Sequence, residues 1–151
     1  MKISSRADYA LSCILRIADK YGKDRHVTVG EIAESEDIAS DYVERLCVIM
    51  KRSGLLKSIR GKNGGYVLAR DPKKISAKDV LLAIDHIVLE PVCFRKKGRR
   101  KKCVHIRDCK IRVLWEELKQ NMESFLDRES LQDLLIKRRR EGNWHKCGGE
   151  R

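Results

Sequence analysis

The sequence predicts a mainly helical fold with one small β-hairpin and a long helix near its C-terminal end. Three observations point there. Residues 28–54 hold two short amphipathic segments separated by a brief break. Residues 55–72 read as strand, glycine-rich turn and strand. From Ile111, apolar residues advance through Trp115, Leu118 and Met122 to Phe125 by alternating steps of four and three, a heptad-like seam on one helix face.

Taken in order, the first helix starts near Ser4 or Ser5 and runs to about Tyr21, where Gly22 stops it. Ala10, Ile14, Ile17, Ala18 and Tyr21 fall at helical spacing, and Leu11 and Leu15 widen the stripe. Ser5 and Asp8 have the spacing of a capping-box pair. "GKDRH" is a turn. Thr28 caps the second helix, Glu31, Ile32 and Ala33 lie within it, and "EDIA" makes the turn. Ser40 caps the third, which carries Tyr42, Val43, Leu46, Ile49 and Met50 and stops at Gly54. The helix pair fits helix-turn-helix or an ordinary helical hairpin. In the hairpin that follows, Leu56 and Ile59 alternate with polar residues, as do Tyr66 and Leu68, around the turn "GKNGG". A basic hairpin directly after two such helices reads as a wing, giving a winged helix-turn-helix. Arg60 and Lys62 at its tip have the chemistry to clamp phosphates or enter a minor groove. "SAKDVLLAIDHI" is a helix capped at Ser76. The long helix spans about Cys109 to Arg128; periodicity fits packing on a second copy or burial in the chain's own core. Ser130 and Asp133 cap a last helix, and "GNWHKCGGER" is a tail.

Composition narrows the partners. A chain of 151 residues makes one domain, or a small domain with an appendage. The pattern divides it at about residue 88, with the wing unit before and the cysteine segment, long helix and tail after. A formal charge of +12 favours a polyanionic partner, with nucleic acid the leading candidate, although a basic ribosomal or membrane-surface protein shares such an excess and charge alone does not decide. No apolar run approaches the ~20 residues needed to span a bilayer, and no signal peptide is evident. The expected compartment is the cytoplasm, where six cysteines stay reduced and serve as ligands or sensors more readily than as disulfides. No nucleophile–base pair, P-loop or HExxH-type motif points to an enzyme.

The unusual stretch is "PVCFRKKGRRKKCVHIRDC", three cysteines crowded by lysine and arginine. It reads either as a solvated basic loop or as thiols that hold something anionic. Structural zinc usually shows Cys-x-x-Cys pairs, absent here, although His105 can complete a Cys₃His set. Thiol oxidation without a cofactor is another use. Cys13 and Cys47 sit in amphipathic helices and read as small buried side chains, and Cys147 as a tail thiol.

Taken together, "MKISSRADYAL", "SDYVERL", "RGKNGGYVLARDP", "VLLAID", three cysteines and a long helix occur in an order that resembles bacterial winged-helix regulators of the IscR and NsrR type, the iron–sulfur cluster and nitric-oxide-responsive repressors. The resemblance covers Met1 to about Leu135. It implies a homodimer on a double-stranded DNA operator, with the long helices crossing at the interface through Ile111, Trp115, Leu118, Met122 and Phe125. It places Ser40, Asp41, Tyr42, Glu44 and Arg45 toward the major groove, and Arg60, Lys62, Asn63 and Gly64 in the wing beside it. A carboxylate such as Glu44 selects sequence more than it adds affinity, since it accepts from cytosine N4 and repels misplaced phosphate. The resemblance also implies an iron–sulfur cluster on Cys93, Cys103 and Cys109. Nine residues separate the first two cysteines, more than the family's usual gap, because of the basic insert "KKGRR". The histidine that the 2Fe–2S branch keeps three residues after the third cysteine is Arg112 here. Some nitric-oxide-sensing members use an early aspartate instead, and Asp8 stands at that place. A 4Fe–4S cluster with Asp8 is therefore expected ahead of a 2Fe–2S one.

Overall fold

The computed structural model describes residues 4–23, 25–61, 64–84 and 109–140, with residues 138–140 described by backbone alone. Helices α1 (Ser5–Ala18), α2 (Val29–Glu36) and α3 (Ser40–Arg52) lead into strands β1 (Leu56–Ile59) and β2 (Gly65–Leu68). A 3₁₀ turn (Pro72–Lys74) precedes α4 (Ala77–Ile84), and α5 (Lys110–Arg128) and α6 (Leu131–Arg140) follow. The expected mainly helical fold with a two-stranded antiparallel hairpin is what forms.

Local chemistry explains most boundaries. Thr28 and Glu31 close a reciprocal capping box: Glu31 N–H donates to Thr28 Oγ1 at 3.1 Å and Thr28 N–H donates to Glu31 Oε2 at 2.9 Å. Ser76 with Asp79 and Ser130 with Asp133 repeat the device at α4 and α6. Accepting these hydrogen bonds holds the Glu31 and Asp133 carboxyls below their usual range, through the Thr28 N–H first and the Ser130 hydroxyl first respectively. Stability from both is present above the unfolded carboxylate pKa and is lost as pH falls through the lowered folded value.

Three boundary expectations are corrected. Ser4, not a Ser5–Asp8 pair, caps α1, with its Oγ accepting from Ala7 N–H at 3.1 Å. Ser40 is the first helical residue of α3 rather than its cap; Ala39 holds that position with no side-chain bond. Helix α1 ends at Ala18, and the turn to Gly22 (φ 75°) leaves Tyr21 46% exposed, off the core stripe. The hairpin also differs: Leu56 and Ile59 are three residues apart and so lie on opposite faces, leaving Leu56 buried and Ile59 exposed.

The core joins Ala10, Ile14 and Ile17 of α1 to Ile32, Val43, Leu46, Met50, Leu56, Leu68 and Val80. Leu131 and Leu135 of α6 close it from the far end of the chain. Two backbone bonds fix that return, Ala77 N–H to Glu129 O at 2.7 Å and Leu131 N–H to Ile75 O at 2.9 Å. Helix α5 stays outside: none of its side chains is buried.

Val27 makes a third, one-residue contribution to the wing, bonding Tyr66 in both directions (3.0 and 2.8 Å). This crossing explains Gly65, where a Cβ would sit 2.4 Å from the Val27 carbonyl oxygen. Gly65→Ala is expected to destabilise the fold by about 1–3 kcal/mol, because backbone rather than a flexible side chain must give way. Chemical denaturation checks this, and an unchanged midpoint would contradict it.

Candidate nucleic-acid interface and cysteine site

Helix α3 divides cleanly into two faces. Val43, Leu46, Cys47 and Met50 are buried against the core, while Ser40, Asp41, Glu44, Arg45, Lys51 and Arg52 are exposed. Asp41, Glu44, Arg45, Val48, Ile49 and Arg52 line one shallow open depression along the outer face. Arg52 was not singled out from sequence, although its i+7 spacing from Arg45 puts it on the same side of the helix. Tyr42 differs from its neighbours. It is half-buried, and its ring meets Tyr9 of α1 edge to face, with centroids 5.9 Å apart and planes at 86°.

The wing is tied to this helix. Lys51 Nζ donates to Ser58 Oγ of β1 at 2.7 Å, so the last turn of α3 holds the hairpin at its midpoint. Register pairs Leu56 with Leu68, Lys57 with Val67, Ser58 with Tyr66 and Ile59 with Gly65. Lys57 and Arg60 are exposed, and the turn has Gly61 at φ 132° and a half-buried Gly64. A Cβ on Gly64 would lie 2.4 Å from the Ile59 carbonyl oxygen, which explains the second glycine of the turn. Lys62 and Asn63 lie outside the described residues. Sequence reasoning missed the Lys51–Ser58 bond, since nothing local marks a contact between a helix end and a strand.

Of the expected cluster ligands, Asp8 and Cys109 are described; Cys93 and Cys103, with His105 and Cys147, lie outside the described residues. Asp8 is exposed in the first turn of α1. Its carboxylate has no hydrogen bond or ion pair among the described residues, because Ser4 performs the capping. Cys109 is half-buried at the N-cap position of α5, with no side-chain capping bond. Arg112 donates through Nε to Glu116 Oε1 at 2.8 Å. Cys13 and Cys47 are fully buried, and burial pushes their thiols up to about 11 and about 12, so both stay protonated and unreactive at neutral pH. Among the described residues no group of three metal-ligating side chains comes together.

The apolar seam lies in the open. Ile111 is 66% exposed, Phe125 55%, Leu118 41% and Trp115 36%, with Met122 half-buried. Lys78 of α4 lies 3.8 Å from Glu123, on the side of α5 turned toward the body. No helix among the described residues is long and apolar enough to cross a membrane.

Comparison with known proteins agrees with this geometry. The family profile Rrf2, described as iron-dependent transcriptional regulator, matches residues 3–137. The chain is 32% identical over 135 residues to the HTH-type transcriptional regulator IscR of Xenorhabdus nematophila, covering 89% of this chain and 79% of that protein. It is 32% identical over 136 residues to IscR of Aliivibrio salmonicida, covering 90% and 78%. Among solved structures, CymR (YrzC), the global cysteine regulator of B. subtilis, superposes with a TM-score of 0.73 at 28% identity, over 91% of this chain and 98% of that one. T. potens IscR gives 0.72 at 25% identity, over 97% and 93%. The oxidized form of Staphylococcus aureus CymR gives 0.68 at 26% identity, over 89% and 96%. These relatives are regulators rather than enzymes, and with a winged helix-turn-helix presenting a polar α3 beside a basic hairpin, the chain belongs to the Rrf2 family of DNA-binding transcriptional regulators.

Proposed function

We propose that this chain is a cytoplasmic homodimeric repressor that reads a double-stranded DNA operator with α3 and the wing. Its affinity is set by an iron–sulfur cluster that responds to nitric oxide, redox or iron–sulfur status. The observation that carries DNA reading is the exposed face of Asp41, Glu44, Arg45 and Arg52, held by the Lys51–Ser58 bond beside a hairpin bearing Lys57 and Arg60. In this reading residues 1–88 form the DNA-binding unit, and residues 89–151 supply the cysteine segment, the dimer helix and the tail. The arginines and lysines meet phosphates and set the register, while Glu44 and Asp41 discriminate bases.

The cluster ligands are Cys93, Cys103, Cys109 and Asp8. The donor chemistry fits: thiolates are the usual ligands, and the two described donors are accessible, whereas Cys13 and Cys47 are sealed in the core. Arg112 is engaged with Glu116 and has no lone pair to offer, so Asp8 is the better fourth ligand and 4Fe–4S the better cluster. When bound, the cluster supplies iron whose coordination changes with nitric oxide or oxidant. The lysines and arginines adjacent in sequence to the cysteines would favour thiolate formation and retention of the cluster. A second reading, control by thiol oxidation or a protein partner without a cofactor, is favoured by the likeness to a CymR solved in an oxidized form. Anaerobic purification followed by iron and sulfide analysis separates them: a visible band bleached by nitric oxide supports the cluster, while a colourless protein with an oxidant-dependent operator affinity supports the thiol reading.

DNA reading has its own test. Operator affinity should fall by about 10³-fold or more between roughly 50 and 200 mM salt, the range for six or more phosphate contacts in a dimer. Arg60→Ala should lower it further and reduce the salt slope by about one per subunit contact. A salt-independent affinity would remove the wing from the interface.

A further inference from the structure

The Tyr9–Tyr42 contact bears on how the reading helix is held. Base edges are met by the N-terminal turn of a recognition helix, so small displacements there matter most. That turn of α3 is poorly supported by its own sequence. Ala39 occupies the cap with φ −57° and ψ 133°, and it offers no side-chain acceptor to the exposed N–H groups of the first turn. The first stabilised amides are Tyr42 and Val43, both donating to the Ala39 carbonyl, at 2.9 and 3.1 Å. Tyr42 is also where α1 makes its aromatic contact: Tyr9 presents its ring edge to face at 5.9 Å. Tyr9 stands one residue before the fully buried Ala10, so its backbone is anchored in the core while its ring reaches the rim. An exposed tyrosine thus supplies from outside the helix the support that a capping side chain would give from within.

We infer that Tyr9 is a positioning residue for operator recognition, fixing the first turn of α3 through Tyr42 and so setting how well Asp41, Glu44 and Arg45 discriminate sequence. The inference rests on α3 being the reading helix. Edge-to-face aromatic pairs are strong enough to change an equilibrium by about threefold to tenfold. The contact acts on the geometry of base readout and leaves the phosphate contacts of the wing alone. Its loss should therefore reduce operator affinity by that factor with little change in affinity for unrelated DNA.

The experiment compares intact dimeric variants for operator and unrelated duplex binding, with hydrogen exchange at the Tyr42 and Val43 amides. Tyr9→Ala should lower the operator-to-unrelated ratio threefold to tenfold and speed exchange at those two amides. Tyr9→Phe should keep wild-type values, since the ring and not the hydroxyl makes the contact. Adding Ala39→Ser to Tyr9→Ala should recover most of the ratio, because a cap then replaces the lost support. An unchanged ratio in Tyr9→Ala overturns the inference. So does a Tyr9→Phe protein as weak as Tyr9→Ala, which would make Tyr9 a direct DNA contact. Glu44→Ala and Arg45→Ala separate the two levels. If neither alters the ratio, α3 is not the reading helix and both readings fall. If they do and Tyr9→Ala does not, only the role of Tyr9 falls.

Discussion

Leu118→Glu should convert the protein from a dimer into monomers that bind operator poorly. The reason is the state of α5 in a single chain. A helix of 19 residues carries no buried side chain, although Ile111, Trp115, Leu118, Met122 and Phe125 form one continuous seam. Fully burying an apolar side chain is worth roughly 1.5–3 kcal/mol, so a seam with four exposed members and a half-buried Met122 is a drive to association. Lys78–Glu123 and the bonds at Glu129 and Leu131 hold the C-terminal part of the helix to the body, leaving the seam free for a second copy. In a two-fold interface residue 118 enters twice. Placing two carboxylates there removes two leucine contacts and desolvates like charges, a penalty of several kcal/mol. The dimer dissociation constant should rise by roughly 10²-fold or more. Operator binding should fall with it, because the two copies then reach the DNA independently rather than as one rigid pair. Sedimentation at micromolar concentration checks this. A monomeric wild type, or a Leu118→Glu protein that stays dimeric, would put the interface elsewhere.

What could be read from sequence follows the range of the interaction. Caps at Thr28, Ser76 and Ser130 were legible as local patterns, and each formed, with Glu31, Asp79 and Asp133 closing the bond three residues on. The wing was legible because its glycines are demanded by backbone geometry at Gly64 and Gly65, even though the carbonyl that demands Gly65 belongs to the distant Val27. The misassigned caps show the limit of local rules. Ser4 and Ser5 are equally good candidates, and only the backbone of residue 4 (φ −72°, ψ 142°) selects the first. Ser40 has the right side chain one position too late. Periodicity also cannot tell which partner an apolar stripe finds. The last helix was read from its cap alone, without showing that Leu131 and Leu135 return to the core of α1, and periodicity marked α5 without showing that most of its stripe stays exposed. Tyr42 was assigned by its place in a motif; its aromatic partner, 33 residues earlier in the chain, had no local signal.

If the proposed ligand set holds, Asp8→Ala should leave a folded protein whose cluster is lost or spectroscopically altered. The competing structural role for Asp8 was helix capping, which would predict a loss of about 0.5–2 kcal/mol of stability and no change in metal content. Ser4 already accepts the Ala7 N–H, and the Asp8 carboxylate stands exposed without a partner among the described residues. What remains for the side chain structurally is a charge at the positive end of α1, worth about 0.3–1 kcal/mol and screened by salt. A small stability change with a large chromophore change is therefore the expected signature. In the proposed ligand set, removing the oxygen donor would leave three thiolates for a cluster that takes four ligands. Asp8→Cys is the sharper companion: a fourth thiolate should retain the cluster while slowing its reaction with nitric oxide. Cys93→Ala, Cys103→Ala and Cys109→Ala should each abolish the visible band. Cys13→Ala and Cys47→Ala should keep it at some cost in stability, because both thiols are buried and held protonated, and Cys147→Ala should keep it as well. Iron and sulfide content, the absorption spectrum and the nitric-oxide titration read all of these together. An Asp8→Ala protein with an unaltered spectrum and titration would exclude Asp8 from the ligand set and turn the search to His105. The same three-cysteine dependence with zinc and no sulfide would replace the cluster by a structural metal.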